Sequence, residues 1–221
     1  MAFTSFRFIV FLVLAAAAYF LTPKRCRWVT LFVANYVFYF ISGGRIFIYL
    51  LATTVTTYLA TVKIGDMAAK NKIAFNEAKA ELDKEGKKAW KAAFAKKKKR
   101  ILIPTLLFNF GILAVLKYSG FVTENLNLLF AKIGIGTELP VFRFLLPLGI
   151  SFYTFQSMGY LIDVYREKQE PERNFCKLAL FISFFPQIVQ GPISRFGTLA
   201  EQLFRANEFS YTRIKFGVQL M

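Results

Sequence analysis

Apolar runs alternate with short charged or turn-forming stretches along the chain, and each run is close to the length of a membrane helix. The first, Phe8 to Leu21, has nine residues that are Ile, Leu, Phe or Val. At roughly −0.3 to −0.6 kcal/mol each, they contribute about −3 to −5 kcal/mol to insertion. The stronger positive cluster, Lys24-Arg25-Cys26-Arg27, follows this run, the wrong polarity for a secretory signal; an uncleaved transmembrane helix is expected. The second run, Trp28 to Ile41, is short, extendable by Cys26 and Ser42, and aromatic at both ends. Gly43-Gly44 then gives a tight turn. The third, Ile46 to Val62, carries Thr53, Thr54, Thr56, Thr57 and Thr61, which suits a helix packed inside a bundle.

The pattern changes from Lys63 to Arg100, where thirteen Lys or Arg stand against five Asp or Glu. No span fits there. Helix formers dominate, Glu77, Glu81 and Glu85 follow at four-residue spacing, and Trp90 shares a face with Phe94. One or two surface helices near the headgroups are expected. A fourth span follows, Ile101 to Phe121, containing Pro104, Asn109 and Gly111, with Lys117 able to snorkel. The less apolar stretch Val122 to Arg143 predicts a short interfacial helix around Leu126 to Phe130. The fifth span is Phe144 to Ile162, with Pro147, Gly149, Gln156 and Gly159. A sixth segment, Phe175 to Val189, breaks at Pro186 and again at Gly191-Pro192.

The expected fold is therefore all-α: a multi-pass transmembrane bundle of five full spans and a broken or re-entrant sixth segment. Composition agrees, with 56% hydrophobic residues, 18% aromatic residues and a mean hydropathy of +0.43. The net charge of +16 is concentrated in the 63–100 stretch, a pattern for a cytoplasmic loop near anionic lipid and not for a nucleic-acid groove. By the positive-inside rule the 63–100 loop, Lys24 to Arg27 and Arg166 to Arg173 lie inside, while Arg45 and the 122–143 stretch lie outside. That places the chain in the cytoplasmic membrane with an external N-terminus. Cys26 and Cys176 stand alone, suiting packing and no disulfide framework. The chain has no histidine, which removes the usual zinc and iron sites and the Ser-His and Cys-His pairs.

Two segments combine apolar surroundings with polar, helix-interrupting residues: Pro147-Leu-Gly-Ile-Ser-Phe-Tyr-Thr-Phe-Gln156, running on to Asp163-Val-Tyr-Arg166, and Phe184-Phe-Pro-Gln-Ile-Val-Gln-Gly-Pro-Ile-Ser-Arg195. In lipid such interruptions need protein or a water-filled cavity to satisfy freed backbone groups, which points to a site among helices. Gln187 and Gln190 share a face beside Pro186 and Gly191-Pro192; they either satisfy freed carbonyls or line a chamber. Tyr153, Phe155 and Tyr160 are grouped around Gln156, either as packing or as contacts. Asp163, Tyr165 and Arg166 form either a membrane-boundary ion pair and anchor or an entrance for a phosphate-bearing acyl donor, which Arg suits. Arg195 follows the break and either caps it or meets an anionic headgroup.

In wording, order and separation, these two segments resemble the signature regions of the membrane-bound O-acyltransferase superfamily, most closely its bacterial branch typified by alginate O-acetyltransferase. The resemblance implies O-acetylation of an extracytoplasmic, alginate-like polysaccharide. The acyl donor would be cytoplasmic acetyl-CoA or another acyl thioester, with no bound cofactor. Its partners would be the lipid bilayer and a polysaccharide acceptor or an acyl-relay protein. It implies that residues 1–221 are the N-terminal part of one membrane domain, its catalytic half absent. It also implies a catalytic histidine, which this chain lacks; alone it is expected to be inactive. The substrate-path candidates are Gln156, Asp163, Tyr165, Arg166, Pro186, Gln187, Gln190, Gly191, Pro192 and Arg195. A transporter or scaffold subunit is the alternative, since broken helices and intramembrane Gln also suit a permeation path.

Overall fold

A computed structural model describes residues 6–43, 47–79, 83–134, 139–141, 149–190, 194–205, 207–208 and 210–219. For residues 43, 188–190, 213–214 and 218–219 it describes the backbone alone. All regular elements among the described residues are helical: α1 (Phe6–Leu21), a 3-10 turn (Lys24–Cys26), α2 (Arg27–Gly43), α3 (Phe47–Ala78), α4 (Lys84–Lys132), α5 (Ile150–Tyr165), α6 (Phe175–Ser183), α7 (Phe185–Gln190), α8 (Phe196–Phe204) and α9 (Tyr211–Gln219). Capping follows local chemistry. Asp83 accepts a bond from the Gly86 N–H at 2.7 Å to start α4, and Asn174 accepts from the Lys177 N–H at 3.2 Å to start α6.

Two expectations are corrected. The basic stretch is helical, but its helices are continuations of α3 and α4 and not separate surface elements. They pair through Trp90 Nε1, which donates to Asn71 Oδ1 at 3.0 Å, and through the rings of Phe75 and Trp90. Likewise α4 runs on past Phe121 to Lys132, where a separate interfacial helix was expected. Falling hydropathy marks where a helix leaves lipid; it does not end the helix. Continuation needs only helix-compatible residues, and Asn125 and Thr123 bond back to Phe121 and Ser119 carbonyls. The helix stops at Gly134, whose φ of +77° is left-handed.

The helices bury an apolar core that includes Phe38, Leu50, Ile64, Leu161, Leu178 and Phe181, with a set of polar side chains inside it and large apolar side chains also on the outer surface. Thr53, Thr54, Thr57, Thr61, Asn109, Gln156 and Ser157 are buried, while Phe40, Leu59, Leu107 and Phe121 are each at least 61% exposed. Buried polar groups together with an apolar exterior suit a bundle solvated by lipid, where polar bonds and close packing join the helices. Asn109 on α4 bridges to Thr56 on α3 with Nδ2–Oγ1 at 3.1 Å, and the buried Thr54 and Thr61 bond their own helix, at 2.8 Å to the Leu50 carbonyl and 2.9 Å to the Thr57 carbonyl. Among the described residues α3 and α4 are the helices long and apolar enough to cross a membrane; α1 and α6–α7 are apolar but shorter.

α3, α4 and α5 pack as one group, α1, α2 and α6 as another, with α6 touching α3 and α5. At one end the segment 166–174 lies on α3: Tyr58 Oη donates to the Arg173 carbonyl at 2.8 Å, and Arg173 pairs with Asp66 at 2.6 Å. Lys24 pairs with Glu208 at 2.7 Å, and this bond and attraction hold the exposed Glu208 carboxyl below the usual carboxylate range. Gly65 faces the Pro171 ring so closely that any Cβ would collide with it. Gly65→Val is therefore expected to cost about 1–3 kcal/mol by overpacking, read as a lowered unfolding midpoint of the solubilised chain. An unchanged midpoint would contradict this packing.

Candidate functional site

The break between α6 and α7 falls at Phe184, whose φ of −58° and ψ of 96° leave the helical region. It lies two residues before Pro186, where the sequence placed it. Pro186 instead occupies the first turn of α7, where a missing N–H costs nothing. In an unbroken helix the Phe181 carbonyl would accept from the Phe185 N–H. Here each half of that lost bond finds a carboxamide from another helix. Gln156 Nε2 on α5 donates to the Phe181 carbonyl at 2.9 Å, and Asn35 Oδ1 on α2 accepts from the Phe185 N–H at 2.9 Å. Asn35 Nδ2 also donates to Ser183 Oγ at 2.9 Å, and that hydroxyl donates to the Ala179 carbonyl at 2.7 Å.

Aromatic rings close around this break. Phe185 stacks on Phe38 with centroids 4.7 Å apart and meets Phe8 and Phe11 edge-on. On the other side Tyr160, Phe181 and Phe196 join α5, α6 and α8, with Phe196 centroids 4.8 and 4.9 Å from the other two. A mainly apolar groove of about 360 Å³ runs beside Pro186, floored by Ala15, Ala16 and Ala34 and bounded by Leu203 and Tyr19.

The predicted site residues separate into two groups. At the break, Gln156 is buried, Pro186 is exposed, and Gln187 Nε2 donates to Ser194 Oγ. The Gln190 backbone ends α7, while its side chain and all of Gly191 and Pro192 lie outside the described residues. Arg195 starts α8 through its carbonyl, which accepts from the Leu199 N–H at 3.1 Å, and its side chain makes no capping bond. At the end of α5, Asp163 and Tyr165 are half-buried and Arg166 is exposed. The Asp163–Arg166 ion pair, one of the two readings of these residues, is not formed. Phe155 also leaves the group expected around Gln156: it faces outward against Phe110 at 5.7 Å.

Three participants were not foreseen from sequence: Asn35, Ser194 and, at the end of α5, Lys98, whose ammonium donates to the Tyr165 carbonyl at 2.9 Å. Asn35 had a visible signal, a carboxamide isolated in an apolar run. Lys98 was hidden among identical neighbours. Chemically, the break offers carboxamide and hydroxyl donors in a dry setting; no His, Cys, Asp or Glu cluster suited to a metal occurs among the described residues.

Asn35→Ala should leave the Phe185 N–H buried without an acceptor, costing about 1–3 kcal/mol. Gln156→Leu should cost a similar amount, measured by thermal unfolding in detergent. Loss below about 0.5 kcal/mol from both would show that water, and not these carboxamides, serves the break.

No family model matches the chain, and no solved structure does. Curated relatives do. A probable alginate O-acetylase of Azotobacter vinelandii is 32% identical over 98% of this chain and 38% of its own length. That of Pseudomonas aeruginosa (strain PAO1) is 31% identical over 98% of this chain and 36% of its own. A peptidoglycan O-acetyltransferase of Helicobacter pylori is 30% identical over 53% of the chain and 26% of its own length. The chain thus spans little more than a third of the alginate O-acetylases it matches. It is nonetheless related to them along nearly its whole length, and so to the membrane-bound O-acyltransferase superfamily that its two signature segments resemble.

Proposed function

We propose that this chain is the scaffold-bearing part of a membrane-bound O-acetyltransferase that modifies an extracytoplasmic polysaccharide. The observation that carries the reading is the break between α6 and α7, held open among helices by Asn35 and Gln156 inside a segment that matches the family signature. Non-helical backbone at membrane depth is tolerated where it is buried in protein or lines a cavity, and a transfer chamber is such a place.

In the proposed reaction a polysaccharide hydroxyl, or a relay protein's hydroxyl, attacks the carbonyl carbon of acetyl-CoA or another acyl thioester. The C–O bond forms, the C–S bond breaks, and a base takes the hydroxyl proton and passes it to the departing sulfur, which leaves as the thiol. The bond between Gln187 and Ser194, close in sequence to Pro186, supports giving these two residues a place at the wall of the proposed chamber. The base implied by the family resemblance, a histidine, has no counterpart among the 221 residues, so this chain supplies scaffold and donors. In the bilayer α1, α2, the first half of α3, the latter part of α4 and α5 make five spans, and α6–α7 enters without crossing. The protein then sits multi-pass in the cytoplasmic membrane. Contacts at one end join Asp66 to Arg173 and Lys98 to Glu167, which supports placing the 63–100 and 166–173 segments together on the cytoplasmic side.

Three outcomes test this. The purified 221-residue chain should show no acetyl transfer to polysaccharide in membranes, and measurable transfer would overturn the assignment of roles. A cysteine placed at Lys84 should label from the cytoplasmic side only; external labelling would reverse the topology. In a full-length version Gln187→Leu should lower transfer per folded molecule with little change in abundance, whereas unchanged transfer per folded molecule would make Gln187 a packing residue.

A further inference from the structure

The run Lys96 to Arg100 reads as a uniform topology signal, but its members are not equivalent. Lys96, Lys97, Lys99 and Arg100 are exposed, and Lys98 is 6% exposed. Phe94, Lys98 and Leu102 follow at four-residue spacing, so Lys98 lies on the inward face of α4. Its ammonium donates to the Tyr165 carbonyl at 2.9 Å and pairs with Glu167 Oε1 at 2.5 Å. The rings of Phe94 and Tyr165 stand 4.8 and 5.1 Å from it. A buried ammonium held by a carbonyl, a half-exposed carboxylate and two aromatic faces is a built anchor, since these partners replace the water it has given up.

What it anchors is the connection from α5 to α6. The Tyr165 carbonyl is one of the last of α5, and Glu167 sits at φ of +59°, a left-handed conformation that a non-glycine side chain holds only when its surroundings fix it. Further along, Tyr160 Oη accepts from the Glu172 N–H at 2.7 Å, and Arg173 pairs with Asp66. Between these ties Arg166 and Lys168 flank Glu167, exposed and without an ion-pair partner among the described residues.

We infer that Lys98 is a positioning residue for the acyl donor: it fixes the 166–174 connection so that Arg166 and Lys168 meet the phosphates of a coenzyme A thioester. The inference rests on the acyl-transfer reading above. Arg and Lys held on an ordered backbone lose less freedom on binding phosphate than the same groups on a loose loop.

The test uses acetyl-CoA as donor with membranes containing a full-length version, and trypsin on the 221-residue chain in membranes. Lys98→Met should raise KM for acetyl-CoA by roughly five- to tenfold with kcat within about twofold of the parent. Lys98→Arg should restore most of the loss. Trypsin should cut after Arg166 or Lys168 faster in Lys98→Met than in the parent. If Lys98→Met does not insert, Glu167→Gln decides, since the ammonium keeps the Tyr165 carbonyl and both rings: a raised KM and faster cleavage support the inference, and unchanged values overturn it. An active parent with unchanged KM in Lys98→Met overturns this inference and leaves the acyl-transfer reading intact. A parent that transfers nothing from acetyl-CoA overturns both.

Discussion

A peptide group left unpaired in a low-dielectric interior is the constraint on which this bundle turns. The chain breaks a helix at Phe184 and thereby gives up a backbone bond where water is scarce. Two carboxamides, Asn35 and Gln156, take up the two halves. Because they come from α2 and α5, the repair also fixes how those helices sit around α6. The stacked pair Phe38–Phe185 and the three rings of Tyr160, Phe181 and Phe196 fill the remaining space. Local defect and global packing support each other: the neighbours satisfy the groups the break frees, and the break gives their carboxamides buried partners.

The second constraint is a positive charge withdrawn from water. A lysine withdrawn from water is tolerated at Lys98 because a carbonyl, a carboxylate and two ring faces surround it. The neighbouring lysines of the run stay exposed. One short stretch of near-identical residues thus serves two physical purposes, with helical phase alone deciding which residue serves which.

Sequence made the helical class, the apolar runs and the signature segments legible, because these depend on local composition and period. It read helix ends less well. The drop in hydropathy after Phe121 and the rise in charge after Val62 looked like element boundaries, yet α3 and α4 run through both. Lipid solvation and helix continuity are separate properties, and hydropathy reports the first. Pro186 correctly marked a break but misplaced it, because proline is accommodated in the turn that follows the interruption. The pairing of Asn35 and Gln156 with the break was not legible: it spans 150 residues to Phe185 in one case and 25 to Phe181 in the other. The pattern within one segment carries no information about which distant carboxamide meets it.

The chain order of the break and its partners has a biosynthetic consequence. Both Asn35 and Gln156 precede Phe181 and Phe185, so a ribosome working from the N-terminus delivers the repairing groups before the defect that needs them. α2 and α5 are thus synthesised before α6 and α7, and with them the one acceptor and the one donor that the break needs. Moved ahead of either helix by circular permutation, the same segment would meet lipid with its backbone bare, and its entry would depend on waiting for partners still to be made.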